Sequence, residues 1–259
     1  MVRFKIDRKV FAIASSWNEL KPAELWPVVP YAYTSRENMH TRLQLLRQLV
    51  PELTPKVFRK LNDQQRIDVL QLSDWVFDQV PSVTGIEYFS FKGVQYFLPK
   101  PELDDTIAIE FAMADLFFKD FVKEGDAKLL DKLVATICRP AKSQEAQHHP
   151  LWDGVPRLRY NGAIAERNAL QFASLPFSTK VVVLHHFAEM QKLVHSTYDI
   201  FSSGGTGSGE GFDIGWLSVL YDLAEQSVFG DFDKTCFTNI NTICLYLHKK
   251  RQERGTDEK

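Results

Sequence analysis

The chain has 259 residues, 44% of them hydrophobic and 25% charged, with a net charge of −2. That much apolar material builds a core for one large domain or two smaller lobes and excludes a wholly disordered chain. A balance so close to zero gives no bulk attraction to nucleic acid or to a membrane. The charge is nevertheless uneven: residues 1–60 hold 11 Lys and Arg against 5 Asp and Glu, and residues 61–130 hold 6 against 13. Complementary or solvated faces explain this, with a basic partner surface as the alternative.

In chain order, residues 2–13 carry Val, Phe and Ile in weak alternation and read as a short N-terminal strand or extended arm. Two helix starts then compete. Ser16 with Glu19 forms a capping box, whereas Pro22 suits the first helical position, where its missing N–H has no partner anyway. Pro27 and Pro30 limit this helix. Ser35 opens a second over RENMHTRLQLLRQLV, closed by Pro51. A third starts at Asn62, whose side chain can accept from the N–H of Gln65, and runs through RIDVLQLSDWVFDQV to Pro81.

Between Pro81 and Pro101 the period changes. The stretch IEYFSFKGVQYFLP predicts a β-hairpin over about residues 86–98, with Gly93 supplying the positive φ of its turn. Beyond Pro101 the pattern is helical. Ile107, Phe111, Ala114, Phe118 and Phe121 share one helix face, Leu130, Leu133, Val134 and Ile137 a second, and Val183, Phe187, Met190 and Val194 a third. Two final helices follow, one with Trp216, Leu220 and Leu223, the other with Phe237, Ile240, Cys244 and Leu247. The polar end HKKRQERGTDEK is expected to fray. Segment 139–162, with Pro140, Pro150, Gly154 and Pro156, lacks a period and reads as a long loop, a lid or a partner-binding arm.

The expected fold is therefore mainly α, a multi-helix bundle with one β-hairpin. It divides into an N-terminal helical lobe with the hairpin, 1–102, and a C-terminal bundle, 103–259, or forms one continuous domain.

The run SSGGTGSGEG, residues 202–211, is the one apparent signature. A phosphate loop needs glycines, a Lys and a hydroxyl, but Glu210 and Gly211 stand where Lys and Ser or Thr belong, and Glu210 would repel the anion. A dinucleotide fingerprint fails because Glu210 occupies the third glycine position, and the run follows a helical pattern instead of a strand. It reads as an interhelical linker, with Gly204, Gly205, Gly207 and Gly209 as a hinge.

No catalytic residue, metal ligand or cofactor is expected. His185, His186 and Glu189 match no zinc-protease spelling, and His186 with Glu189 reads as a surface contact one helical turn apart. Glu145 and His148 form a single E-x-x-H where a di-iron bundle needs two. The enzyme alternative, a metal-dependent one, would draw on His148, His149 and Asp153. Arg36, Arg42 and Arg47, interleaved with Leu43, Leu45 and Leu46, read as the solvated face of an amphipathic helix, with DNA association as the lesser reading. Cys138, Cys236 and Cys244 read as buried free thiols of a reducing compartment. The N-terminal apolar run VFAIA is shorter than a signal peptide needs, and TCFTNINTICLYLH is too short and polar to span a bilayer, so a soluble, cytoplasmic protein is expected.

Three stretches carry a resemblance: SWNEL, then EFAMADLFFKDF leading to LLDKLVATICRP, then FGDFDKTCFTNINTICLYL. Together they resemble helical proteins encoded among the virion and tail genes of phages and prophages infecting Bacteroidota. The Trp216 helix, the break at Gly230-Asp231 and the final helix are similar in layout to tail assembly chaperones of long-tailed phages. The resemblance implies a non-enzymatic factor of the bacterial host cytoplasm that keeps the tape-measure protein soluble and helps tail-tube subunits collect around it. It brings no catalytic residues. The hairpin at 86–98 and the chain's length depart from many such chaperones, and a connector or baseplate component would fit the same genes.

Overall fold

The structure, a computed structural model, describes residues 1–81, 85–198 and 215–257, with side chains as far as residue 253. The hinge glycines Gly204, Gly205, Gly207 and Gly209 lie outside the described residues. The fold is mainly α, and the chain forms two compact units.

The first unit comprises residues 1–86 and 176–186. Its N-terminal strand has a partner: β1 (Val2–Ile6) pairs antiparallel with β2 (Lys9–Ile13), Ile6 opposite Lys9. Ile6, Phe11 and Ile13 are buried with Leu46, Val50, Leu61, Val69 and Leu70 in one apolar cluster. Of the two competing starts Pro22 opens the α-helix, and the Ser16–Glu19 capping box does not form because the Ser16 side chain makes no capping bond. Trp17–Glu19 form a 3₁₀ turn in which Glu19 reaches Ser15, accepting from its N–H at 2.7 Å, and Pro22 opens α1 (Pro22–Val28).

Helix α2 (Met39–Leu49) starts later than Ser35 predicts, because Asn38 accepts from the N–H groups of His40 and Thr41 and takes the cap. After α3 (Pro55–Phe58), α4 (Asp63–Gln71) is capped as expected, Gln65 N–H donating to the Asn62 side chain at 2.8 Å. The helix expected to continue to Pro81 is broken. Buried Ser73 donates its hydroxyl to the Leu70 carbonyl, which competes with the helical ladder, and the chain resumes as α5 (Trp75–Asp78).

The second unit comprises residues 87–175 and 187–259. The predicted hairpin is present as β3 (Tyr88–Phe91) and β4 (Val94–Phe97), its turn made by Lys92 at φ 50° and Gly93 at φ 79°. Helix α6 (Ala108–Glu124) ends at Gly125, whose φ of 70° is the left-handed conformation a glycine adopts without strain. Asp126 then caps α7 (Ala127–Ile137). Directly after α7 comes a strand missed by the sequence reading, β5 (Arg139–Pro140), which adds to the hairpin with Arg139 opposite Phe97.

Helix α8 (Gln144–Gln147) is one turn, and α9 (Gly162–Phe172), capped by Asn161, is a further element the sequence pattern missed. Phe172 packs edge-on against Tyr96, at 4.9 Å between ring centres, so α9 seals the hairpin sheet. In α10 (Phe177–Thr197), which belongs to the first unit as far as His186, the expected Phe187, Met190 and Val194 are buried.

Trp216 opens α11 (Trp216–Glu225) and meets Phe111 edge-on at 5.4 Å. The last helix is not continuous from Phe237. That residue closes α12 (Phe232–Phe237) and is 60% exposed, and α13 (Ile240–Asp257) begins afresh. The break exists because backbone groups around Asn239 bond across to the start of α6. Ala108 N–H donates to the Thr238 carbonyl at 2.9 Å and Ile240 N–H to the Thr106 carbonyl at 3.1 Å. The polar end expected to fray is helical to Asp257, with Lys250 paired to Glu253 at 2.9 Å.

Candidate functional site

Residues 139–162 are no irregular loop. Prolines 140 and 156 flank two short antiparallel segments: Lys142 N–H donates to the Pro156 carbonyl at 2.7 Å and Leu158 N–H to the Pro140 carbonyl at 2.9 Å. Ala141 N–H in turn reaches the Gln95 carbonyl of β4. The sheet thus extends outward as an arm, with residues 143–155 at its tip.

The base of the arm holds Arg157, which is completely buried. Its Nε donates to Asp105 Oδ2 at 2.7 Å, Nη1 to Glu110 and to the Ile137 carbonyl at 3.0 Å, and Nη2 to the Asp105 carbonyl and Thr106 Oγ1 at 2.8 and 3.0 Å. All five guanidinium N–H groups have an acceptor. Glu110, also fully buried, accepts at its other oxygen from Arg139 Nη2 at 2.9 Å.

Burial pushes the Glu110 carboxyl above the usual carboxylate range against the pull of Arg157 and Arg139. Burial also opposes the charge on Arg157, but Glu110 and Asp105 outweigh it and hold that guanidinium above its ordinary value. Arg139 has less compensation: burial lowers it to about 10, Glu110 opposing and Arg157 adding to the drop.

None of Glu110, Arg139 and Arg157 was legible as a site. The available signals were an acid beside Phe111 in the apolar first turn of α6 and an arginine wedged between Pro156 and Leu158.

The tip is internally bonded. Ser143 Oγ accepts from Ala146 N–H at 3.2 Å, Gln147 donates to the Lys142 carbonyl at 2.8 Å, and Lys142 Nζ holds both oxygens of Asp153 at 2.7 and 2.8 Å. Its hydrogen bond to Lys142, then that from Val155 N–H, hold the Asp153 carboxyl below the usual aspartate range. His148 Nδ1 lies 2.6 Å from the Gln144 carbonyl, and His149 Nδ1 accepts from Leu151 N–H at 3.2 Å.

The trio His148, His149 and Asp153 is therefore divided among separate local contacts. Among the described residues no group of three or more His, Cys, Asp or Glu could hold a metal. On this braced tip Leu151 is 86% exposed and Trp152 42% exposed. Beside the arm's base lies a cleft of about 400 Å³, walled by Ile107, Phe237, Leu158, Arg139 and Arg159.

The other expected positions fall elsewhere. His185 and His186 are buried, so His186 is not the surface residue expected, and Glu189 pairs with Lys192 at 2.6 Å. Arg36 and Arg42 go to Asp74 and Asp78, while Arg47 is exposed. The three cysteines are free and buried; burial raises all three thiols, Cys244 to about 12, so they stay protonated and unreactive. No helix among the described residues is long and apolar enough to cross a membrane. No known protein family matches the chain, and neither does any curated protein or solved structure.

Proposed function

We propose that this protein works by holding another polypeptide through the 141–158 arm, as a non-enzymatic assembly factor of the tail-chaperone kind. The observation that carries the reading is the exposure of Leu151 and Trp152 on a tip whose backbone is already tied down. Large apolar side chains in water cost solvation, and a partly exposed Trp, a residue type enriched in binding hot spots, beside a bare Leu on a braced loop suits a contact with a partner. Bracing before contact lowers the ordering entropy that association must overcome. The chemistry beneath the arm supports the same reading: Arg157 has no donor left for a substrate, and Glu110 is sealed between guanidiniums. Resemblance to the tail genes supplies the partner class, the tape-measure or tail-tube protein.

The test is co-expression with the tape-measure and tail-tube proteins of the same genome, followed by affinity capture. Wild type should retain one of them, and Trp152→Ala or Leu151→Asp should lose it while the protein keeps its helical circular dichroism. Capture that survives both substitutions sinks the arm as the contact. Capture of neither tail protein sinks the tail-chaperone assignment.

A further inference from the structure

The cleft beside the arm is separate from Leu151 and Trp152, and its hydrogen-bonding groups are out of balance. Four cations line it, Arg139, Lys142, Arg157 and Arg159, with three acids. Each acid is occupied: Asp105 by Arg157 at 2.7 Å, Asp153 by Lys142 at 2.7 Å, and Asp104 by Lys100 at 3.3 Å.

The cations are not all occupied. Arg139 has a side chain only 8% exposed, yet it places a single nitrogen on Glu110. Its Nε is buried without an acceptor, and Nη1 has none among the described residues. A guanidinium offers five N–H donors, and leaving buried ones unmatched is costly. Arg159, on the same cleft, is exposed and makes no ion pair among the described residues. Half-buried Tyr160 follows Arg159 and lines the same cleft, and burial, then Glu110, raise its hydroxyl, which keeps it a proton donor.

The same cleft has an apolar lining of Ile107, Val155, Leu158 and the 60% exposed Phe237. A volume of about 400 Å³ lies at the small end of ligand sites and suits one apolar side chain with one charged group. Asp104 and Asp153 at the rim disfavour a dianion more than a monoanion, since repulsion scales with the charge.

We infer that this cleft is a binding site for a carboxylate attached to an apolar group, the chemistry shared by the C-terminal residue of a polypeptide and by a small apolar acid. Arg139 and Arg159 hold the carboxylate, Tyr160 donates to it, and Phe237 with Leu158 covers the apolar part.

The test is a titration of the full chain followed by two-dimensional amide NMR. The probes are N-acetyl-L-leucine, its amide, a tetrapeptide ending in leucine with a free carboxylate, and inorganic phosphate. N-acetyl-L-leucine should shift Ile107, Leu158 and Phe237 saturably with a Kd on the order of 1 mM, the strength typical of so few atoms. Its amide should bind at least about tenfold more weakly, as expected when a charged hydrogen bond is lost.

If the tetrapeptide binds as well or better, the source is a polypeptide terminus; if only the small acid binds, it is a free metabolite, and the site stands in either case. Equal binding of acid and amide, preference for phosphate, or no shift at these residues overturns it. Arg139→Lys should abolish binding, but Arg139 also braces Glu110, so the exposed substitutions Arg159→Ala and Phe237→Ala carry the test independently of folding. Each should weaken the acid by about fivefold or more, and unchanged affinity in both removes the site. Trp152→Ala should leave the titration unaltered, which separates this site from the arm's tip.

Discussion

Asp74 and Glu110 each sit between two arginines, and the two clusters differ in little but water. Asp74 takes Arg36 at 2.8 Å and also Arg42, while Arg36 reaches on to Asp78 at 2.9 Å. Asp74 is 15% exposed, and Arg36 and Asp78 are about half exposed. Glu110 takes Arg139 and Arg157; it and Arg157 have no exposure at all, and Arg139 only 8%.

Where water shares the pair, its charges are already solvated, and forming it gains little beyond what solvent supplied. In the dry cluster the charges were stripped of solvent. The arrangement survives there because Asp105, Thr106 and two backbone carbonyls occupy every donor of Arg157 that Glu110 does not. The same residue types thus make a loose surface clamp in one unit and a rigid base for the arm in the other.

The contrast can be broken most forcefully at Glu110. Glu110→Ala leaves Arg139 buried without an acid and takes from Arg157 one of its two, and should cost about 3–5 kcal/mol in urea denaturation. Replacing Glu110, Arg139 and Arg157 with Leu, Leu and Met, together with Asp105→Asn because Asp105 is the other buried acid on Arg157, should recover most of that loss, since no stranded charge remains. A quadruple variant as unstable as Glu110→Ala would show that the network contributes more than charge pairing.

Asp74→Ala should cost only about 1 kcal/mol in the same assay. An effect as large as that of Glu110→Ala would erase the distinction between wet and dry clusters.

Acid sharpens the comparison at the arm's tip. The Asp153 carboxyl is held below its ordinary value in the folded protein, so its stabilisation is present above the usual aspartate pKa of about 4 and is lost as pH falls through the depressed one. Trp152 fluorescence should report loosening of the tip in that acid range, and Lys142→Met should remove the transition. The smallest expected effect is that of Trp152→Ala on stability, within about 0.5 kcal/mol, measured by thermal unfolding. A larger loss would make Trp152 a packing residue and not a contact for a partner.

Much of the fold was legible because its signals are local. Lys92-Gly93 specifies the hairpin turn, the Asn62 side chain caps its helix, and Leu130, Leu133, Val134 and Ile137 repeat at helical spacing, all of them buried. Helix α9 escaped notice because its buried face is Ala165, Asn168, Ala169 and Phe172, mostly small or polar residues that leave a faint apolar period. The breaks at Ser73 and Thr238 were invisible for another reason: each depends on a hydrogen bond that competes with the helix, the second made to residues far away in the chain. Asp105 stands just before α6, where a helix start favours an acid, but its partner Arg157 is 52 residues distant and local pattern cannot announce it.

What the amino-acid order determined alone was most of the helical segments, the hairpin, and which faces are greasy, since these follow from periodicity and turn chemistry within a few residues. The tertiary structure decided which charges would be dry. Whether a carboxylate is sealed or solvated depends on the segments laid over it, and for Glu110 those segments are the end of α7, β5 and the returning strand of the arm. Packing likewise turned a proline-rich stretch with no period into a braced arm carrying Leu151 and Trp152, because its hydrogen-bond partners are brought together only once the sheet and α7 are in place.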